Sequence, residues 1–95
     1  MSYEVIISEA ALSFVRRLAS DPRQALKKSF KELRAERGDI RSLDDPLTGH
    51  YRVRVGKYRV IFRYIENMTI EVVFVEERKM VYEVYEEQLA RKLRS

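Results

Sequence analysis

The sequence contains no cysteine and a single histidine, His50, among its 95 residues. Without cysteine, the chain has no disulfide framework, no thiolate zinc site and no cysteine nucleophile. One histidine also excludes a metal site built from several imidazoles, and we expect no metal or other cofactor. His50 precedes a predicted strand, and we interpret it as structural or exposed rather than catalytic, although a lone histidine is able to act as an acid or a base.

Long apolar runs are also missing. No stretch approaches the roughly 20 apolar residues that are needed to span a bilayer, and no apolar leader with a cleavage signature is present at the N-terminus. We therefore expect a cytoplasmic protein that has no membrane partner. With 45% hydrophobic and 36% charged residues, the chain fits a single globular domain over residues 1–95.

Charge of one sign is only modestly in excess. The chain has 19 Lys and Arg against 15 Asp and Glu, which gives a formal net charge of +4. This bias allows an anionic partner, but it is a weak electrostatic footprint for independent nucleic-acid binding. Function therefore depends on where the cations lie in the fold.

The hydrophobic pattern predicts the order strand, two helices, three strands, helix. The predicted strands cover residues 3–7, 51–55, 58–65 and 68–75, and the predicted helices cover 9–19, 22–37 and 83–93. The apolar run from Val5 to Ile7 favours a first strand that is buried on both faces, and residues 38–49 are expected to form a loop. This order predicts an α+β fold: a mainly antiparallel sheet with an N-terminal strand, a helical hairpin, a three-strand meander and a C-terminal helix.

Basic residues alternate with apolar ones in the first strands of the meander. A two-residue turn at Gly56-Lys57 pairs Arg54 with Arg59, and strand alternation places Arg52 on the same face. Like charges that lie opposite one another destabilise a sheet, whereas guanidinium groups bind phosphate oxygens through paired hydrogen bonds. A single arginine on a strand is most often a solvated surface residue, but the cluster favours an anion-binding site.

The third strand of the meander returns toward the same turn. It brings Glu76, Glu77, Arg78 and Lys79 close to Arg54 and Arg59, and it is followed by Tyr82 and Tyr85. The basic side chains of helix 22–37 are instead interpreted as an ordinary charged surface, with Glu32 and Glu36 as partners on the same helix.

The stretch LTGHYRVRVGKYRVIFR from Leu47 to Arg63, followed by RKMVY from Arg78 to Tyr82, resembles the signature of the RelE/ParE toxin superfamily. The order of elements over the whole chain is also similar to that of this family. The resemblance implies a RelE-like fold and a toxin of a type II toxin–antitoxin system. RelE-type members cut mRNA in the ribosomal A site without a metal, because the ribose 2′-hydroxyl attacks the adjacent phosphate.

The resemblance also implies a set of site residues. The implied catalytic residues are Arg52, Arg54, Arg59, Arg78, Glu77 and Tyr82, with Tyr85 as a rival to Tyr82. The implied RNA-binding residues are Arg52, Arg54, Lys57 and Lys79. Many members carry histidine where this chain has Glu77, so that Glu77 is either a general base or the partner in an ion pair.

The resemblance implies partners as well. These are a cognate antitoxin, the ribosome and the mRNA in its A site, and a toxin–antitoxin hetero-oligomer on operator DNA is a further alternative. Two other functions stay open: a ParE-type toxin that is not a nuclease and acts on DNA gyrase, and a non-toxic relative that only binds an antitoxin. For this last function, the basic helix 22–37 is a candidate contact with DNA.

Overall fold

The computed structural model describes residues 2–77 and 91–93. The strands are β1 Glu4–Ile7, β2 Ile40–Ser42, β3 Tyr51–Val55, β4 Tyr58–Ile65 and β5 Thr69–Glu77, and the helices are α1 Glu9–Arg16 and α2 Ser20–Leu33. Residues 91–93 have a helical backbone, and the rest of the helix predicted over 83–93 lies outside the described residues.

The strands form one sheet in the order β1-β5-β4-β3-β2. The predicted meander of β3, β4 and β5 is confirmed, with antiparallel pairing throughout and Val55 opposite Tyr58 at the Gly56-Lys57 turn. β1 pairs with β5 in the parallel direction, which makes the sheet mixed. The predicted α+β class is therefore correct.

Two predictions about the strands are wrong. β1 is not buried on both faces, because it lies at the edge of the sheet and Ile6 is 42% exposed. Residues 38–49 are not wholly a loop, because β2 pairs with β3 in the antiparallel direction. With one apolar residue in the segment Ile-Arg-Ser, β2 is too short and too polar to show an alternating pattern.

Both helices end earlier than their hydrophobic periodicity predicts. α1 ends at Arg16, where the N–H groups of Arg17 and Leu18 bond to carbonyls three residues back and tighten the last turn. α2 ends at Leu33, and the chain then turns through Glu36, which has a φ of 53°. Among the described residues, no helix is both long enough and apolar enough to cross a membrane.

The main core lies between the helices and one face of the sheet. Its buried residues are Ala11, Val15, Leu26, Phe30, Leu33, Val53, Tyr58, Val60, Phe62, Ile70, Val72 and Val75. A smaller cluster of Leu47, Ile61 and Val73 covers part of the other face, where Leu93 packs against it. A bulge in β5 places both Val73 and Phe74 toward this smaller cluster.

Candidate functional site

The register of β3 and β4 brings the predicted arginines onto one face of the sheet. Arg54 lies directly opposite Arg59, and Arg52 lies opposite Ile61. We call the surface that carries Arg52, Arg54 and Arg59 the arginine face; it is the face turned away from α1 and α2. Arg41 of β2 pairs with Arg52 and therefore belongs to the same face.

Arg59 is the most deeply buried of these cations. Its residue is only 2% exposed, its Nε donates a hydrogen bond of 2.9 Å to Oε1 of Glu76, and its Nη2 donates to the same oxygen. Glu76 lies opposite Arg59 on β5 and is itself 5% exposed. The expectation that folding offers no reason for the Arg54–Arg59 pair is therefore incomplete, because Glu76 compensates Arg59 from the neighbouring strand.

Arg52 is also buried and has an acidic partner. Its Nη1 donates to the backbone carbonyl of Asp39 at 2.8 Å and lies 3.3 Å from Oδ2 of the same residue. Nε of Arg41 is 3.8 Å from Oδ1 of Asp39. Sequence reasoning missed Asp39 and Arg41 as neighbours of Arg52, because their proximity depends on β2. Arg54, in contrast, is exposed.

A second ion pair lies further along the arginine face. Nε of Arg63 on β4 donates to Oε1 of Glu71 on β5 at 2.7 Å. His50 is close to both residues, and neither of its ring nitrogens has a hydrogen-bond partner although both are buried. Burial, and then the charge of Arg63, lower the pKa of His50 below 6.5, so the ring is uncharged at neutral pH.

Glu77 and Lys57 form an ion pair beside the hairpin turn. Lys57 Nζ is 3.3 Å from Glu77 Oε1 and 5.7 Å from the centre of the Tyr58 ring. Because successive side chains of a strand point to opposite faces, Glu77 points away from the face that carries Glu76. Glu77 thus has the ion-pair role that was one of its two alternatives, with Lys57 as its partner.

The other predicted site residues, which are Arg78, Lys79, Tyr82 and Tyr85, lie outside the described residues. Glu76 was expected near the arginines, but the candidate general base was placed at Glu77. The one signal that favours Glu76 is register: counting antiparallel pairs from the Gly56-Lys57 turn and across β4 places Glu76, not Glu77, on the face of Arg59.

A basic groove lies on the helical side of the sheet. It has a volume of about 540 Å³ and runs between β1 and α2, where Lys27, Lys31 and Arg34 line it together with Tyr3 and Phe30. The expectation that Glu36 offsets the cations of α2 is not met in this way, since Glu36 Oε2 accepts a hydrogen bond of 2.6 Å from the hydroxyl of Tyr64. Burial and this bond raise the pKa of Tyr64.

Solved structures share this arrangement of strands and helices. The chain is similar to E. coli toxin RelE, solved in the free state as a double arginine-to-alanine mutant, at 26% identity and a TM-score of 0.71, over 96% of this chain and 98% of that one. It is also similar to chains of the RelE–RelB complex of Pyrococcus horikoshii (24%, TM-score 0.68, 82% and 97%) and of the toxin–antitoxin complex RelBE2 of Mycobacterium tuberculosis (24%, TM-score 0.72, 82% and 93%). The chain therefore has the RelE fold.

A family model gives the more specific assignment. The model of the ParE toxin of type II toxin–antitoxin systems matches residues 5–82, which is most of the chain. The chain therefore belongs to this toxin family. No functionally curated protein matches it.

Proposed function

We propose that the chain is a toxin that cuts mRNA in the ribosomal A site through attack of the ribose 2′-hydroxyl on the adjacent phosphate. The observation that carries this proposal is the arginine face, where Arg54 and Arg59 lie side by side on a hydrogen-bonded sheet with Arg52 one step along. Cations that are fixed in advance stabilise the charge that develops on the phosphorus centre, which is a large catalytic effect.

The arginines have different parts in this proposal. Arg54 is exposed and makes the first contact with a phosphate. Arg59 and Arg52 are held by acidic partners, which fix the directions of their guanidinium groups. Arg78, Lys79 and Tyr82 or Tyr85 complete the site by resemblance to the family, and Lys57 contacts RNA at the edge of the turn.

A cognate antitoxin is the expected protein partner. The relatives from Pyrococcus horikoshii and Mycobacterium tuberculosis were solved as toxin–antitoxin complexes, and a chain of the same fold has the same kind of surface to cover. We extend the proposal to neutralisation in the cytoplasm by an antitoxin, and to a toxin–antitoxin hetero-oligomer that binds operator DNA.

Action on DNA gyrase is the second candidate function. Two observations favour it: the matching family model is that of ParE, and both Arg52 and Arg59 are engaged in internal ion pairs. A toxin that acts through protein contact does not need these two arginines to meet a phosphate. A relative without toxicity is the third alternative, in which the basic groove beside α2 contacts DNA.

The order in which cellular processes stop separates these functions. The chain is expressed from an inducible promoter without an antitoxin, and the incorporation of labelled methionine and thymidine is followed over the first minutes. We expect translation to fall first, and purified protein to cut mRNA on programmed ribosomes, leaving a 2′,3′-cyclic phosphate. Arrest of DNA synthesis while translation continues would favour gyrase, and normal growth would favour the non-toxic relative.

A further inference from the structure

Glu76 combines deep burial with an unsatisfied charge. Oε1 accepts two hydrogen bonds from Arg59, whereas Oε2 is buried and has no hydrogen-bond partner. A buried acceptor without a donor costs free energy, more so when it is charged. Such groups are rare in native proteins, and each one calls for an explanation, a catalytic role among them.

The position of Glu76 in the sheet relates it to the proposed phosphate site. It pairs with Arg59, which in turn pairs with Arg54, so that the three side chains form one row across the arginine face. Glu77 points to the opposite face and is held by Lys57. Glu71 lies five positions earlier on β5, where it is paired with Arg63. In this row, Glu76 is thus the carboxylate beside the arginines.

We infer that Glu76 is the general base of the cleavage, an inference that rests on the proposed function. Oε2 accepts the proton of the ribose 2′-hydroxyl, the 2′-oxygen forms a bond to phosphorus, and the bond between phosphorus and the 5′-oxygen breaks. The leaving 5′-oxygen takes a proton from water, and Glu76 later returns its proton to water. Arg59 holds Oε1 throughout and thereby fixes the direction of Oε2.

Burial is consistent with this role. The side chain of Glu76 is 7% exposed, and RNA reaches Oε2 by displacing the groups that shield it on the arginine face. A site from which water is excluded strengthens electrostatic interactions. The 2′-hydroxyl then supplies the hydrogen bond that Oε2 lacks in the free chain.

The test is single-turnover cleavage of mRNA on programmed ribosomes between pH 5 and pH 9. We expect E76Q to lower the maximal rate by about 10²- to 10⁴-fold, the usual contribution of a general base, and to abolish the rise of rate with pH, with half-saturation unchanged. E71Q is the matched control, because Glu71 is a carboxylate on the same strand that is also paired with an arginine of β4. Its rate and pH profile should remain those of the parent.

A second variant separates chemistry from folding. E76Q leaves Arg59 buried without a counter-charge, and breaking a buried pair in this way is strongly destabilising. E76D keeps the charge and the partner but moves the carboxylate by about one bond length. For a general base, we expect a loss of roughly 10²-fold, since an error of about 1 Å in placement costs that much, at an unchanged melting temperature.

Two results would overturn the inference while leaving the proposed function intact. One is a folded E76D or E76Q protein that cleaves at the parental rate with the parental pH profile. The other is transfer of these effects to E77Q, which would assign the base to Glu77. If the parent chain itself does not cut mRNA on ribosomes, the proposed function fails and the inference fails with it.

Discussion

Arg59 illustrates how a long cationic side chain is buried in a small protein. It is almost fully removed from solvent, and the sheet accommodates it because Glu76 lies opposite on the next strand. Removing one member of a buried pair typically costs about 3–5 kcal/mol. Arg59→Ala therefore alters the fold as well as the site, and loss of toxicity in that variant would not identify a phosphate contact. Arg54, which is exposed, gives the more informative substitution.

His50 predicts a pH dependence of stability at the residue scale. Its pKa in the folded chain lies below 6.5 because of burial and the neighbouring Arg63, with Glu71 acting weakly in the opposite direction. As the pH falls below 6.5, the unfolded chain binds a proton that the folded chain does not, so acid favours unfolding. We expect His50→Phe to remove this component of the acid sensitivity.

Urea unfolding of the parent and of His50→Phe at several pH values between 5 and 7.5 measures the effect. At pH 7 the variant should be as stable as the parent or more stable by up to about 1 kcal/mol, because two unpartnered ring nitrogens are removed from the interior. The stability difference should grow in favour of the variant as the pH falls. Parallel curves for the two proteins would contradict the assignment of this acid sensitivity to His50.

Gly38 is required by its surroundings rather than by its turn alone. It has a φ of +120°, and a Cβ built on it would lie 2.8 Å from Cγ2 of Val53, a core residue. We expect Gly38→Ala to lower the free energy of unfolding by about 2–4 kcal/mol, from backbone strain and overpacking together. The midpoint of urea unfolding measures this loss.

Gly49 provides the control, because it also has a positive φ, +93°, but nothing lies within 4 Å of its Cβ position. Gly49→Ala should therefore cost only the backbone strain, about 1–2 kcal/mol. Equal losses in the two variants would show that contact with Val53 is unimportant.

At the scale of elements, the meander could be predicted because a local feature determines it. The turn at Gly56-Lys57 fixes the register of β3 and β4, and alternation then gives the face of each arginine. β1 was misjudged because its apolar sequence does not reveal that it pairs only with β5 at the edge of the sheet. β2 was missed because three residues carry too little pattern.

The same difference applies to the site. The shared face of Arg52, Arg54 and Arg59 follows from one hairpin and was predicted. Their burial does not follow from it, because the acidic partners come from elsewhere: Asp39 precedes the unpredicted β2, and Glu76 lies on β5. Choosing between Glu76 and Glu77 as the candidate base requires the register of two strand pairs, which sequence reasoning did not follow to its end.

The first turn of α1 predicts a stability effect at the scale of elements. The hydroxyl of Ser8 accepts a bond from the N–H of Ala11 at 3.1 Å and donates one to the carbonyl of Val73 at 2.8 Å. It thus caps the helix and ties it to the bulge of β5. We expect Ser8→Ala to cost about 1–2 kcal/mol, measured by thermal or urea unfolding.

Ser13→Ala is the control for this prediction. Ser13 lies in the same helix and is exposed, so its replacement should change stability by no more than about 0.5 kcal/mol. If Ser8→Ala proved as mild as Ser13→Ala, the bonds of the Ser8 hydroxyl would not contribute to stability.

At the scale of the whole molecule, the net charge of +4 conceals two separate basic surfaces. The arginine face lies on one side of the sheet, and the groove beside α2 with Lys27, Lys31 and Arg34 lies on the helical side. If RNA binds through the arginine face, affinity depends on which surface loses a cation and not on total charge. The salt dependence of binding distinguishes these cases, since each neutralised phosphate releases bound counterions.

Arg54→Ala and Arg16→Ala make this comparison at equal net charge. Both side chains are exposed, but Arg16 lies at the end of α1, away from the arginine face. For binding to a single-stranded RNA oligonucleotide, we expect Arg54→Ala to weaken affinity and to reduce the slope of log K against log salt by about 0.7, the value for one phosphate contact on a single strand. Arg16→Ala should leave both quantities unchanged. Equal losses of slope would mean that RNA responds to the overall charge of the chain, and loss with Arg16→Ala alone would move the RNA contact to the helical side.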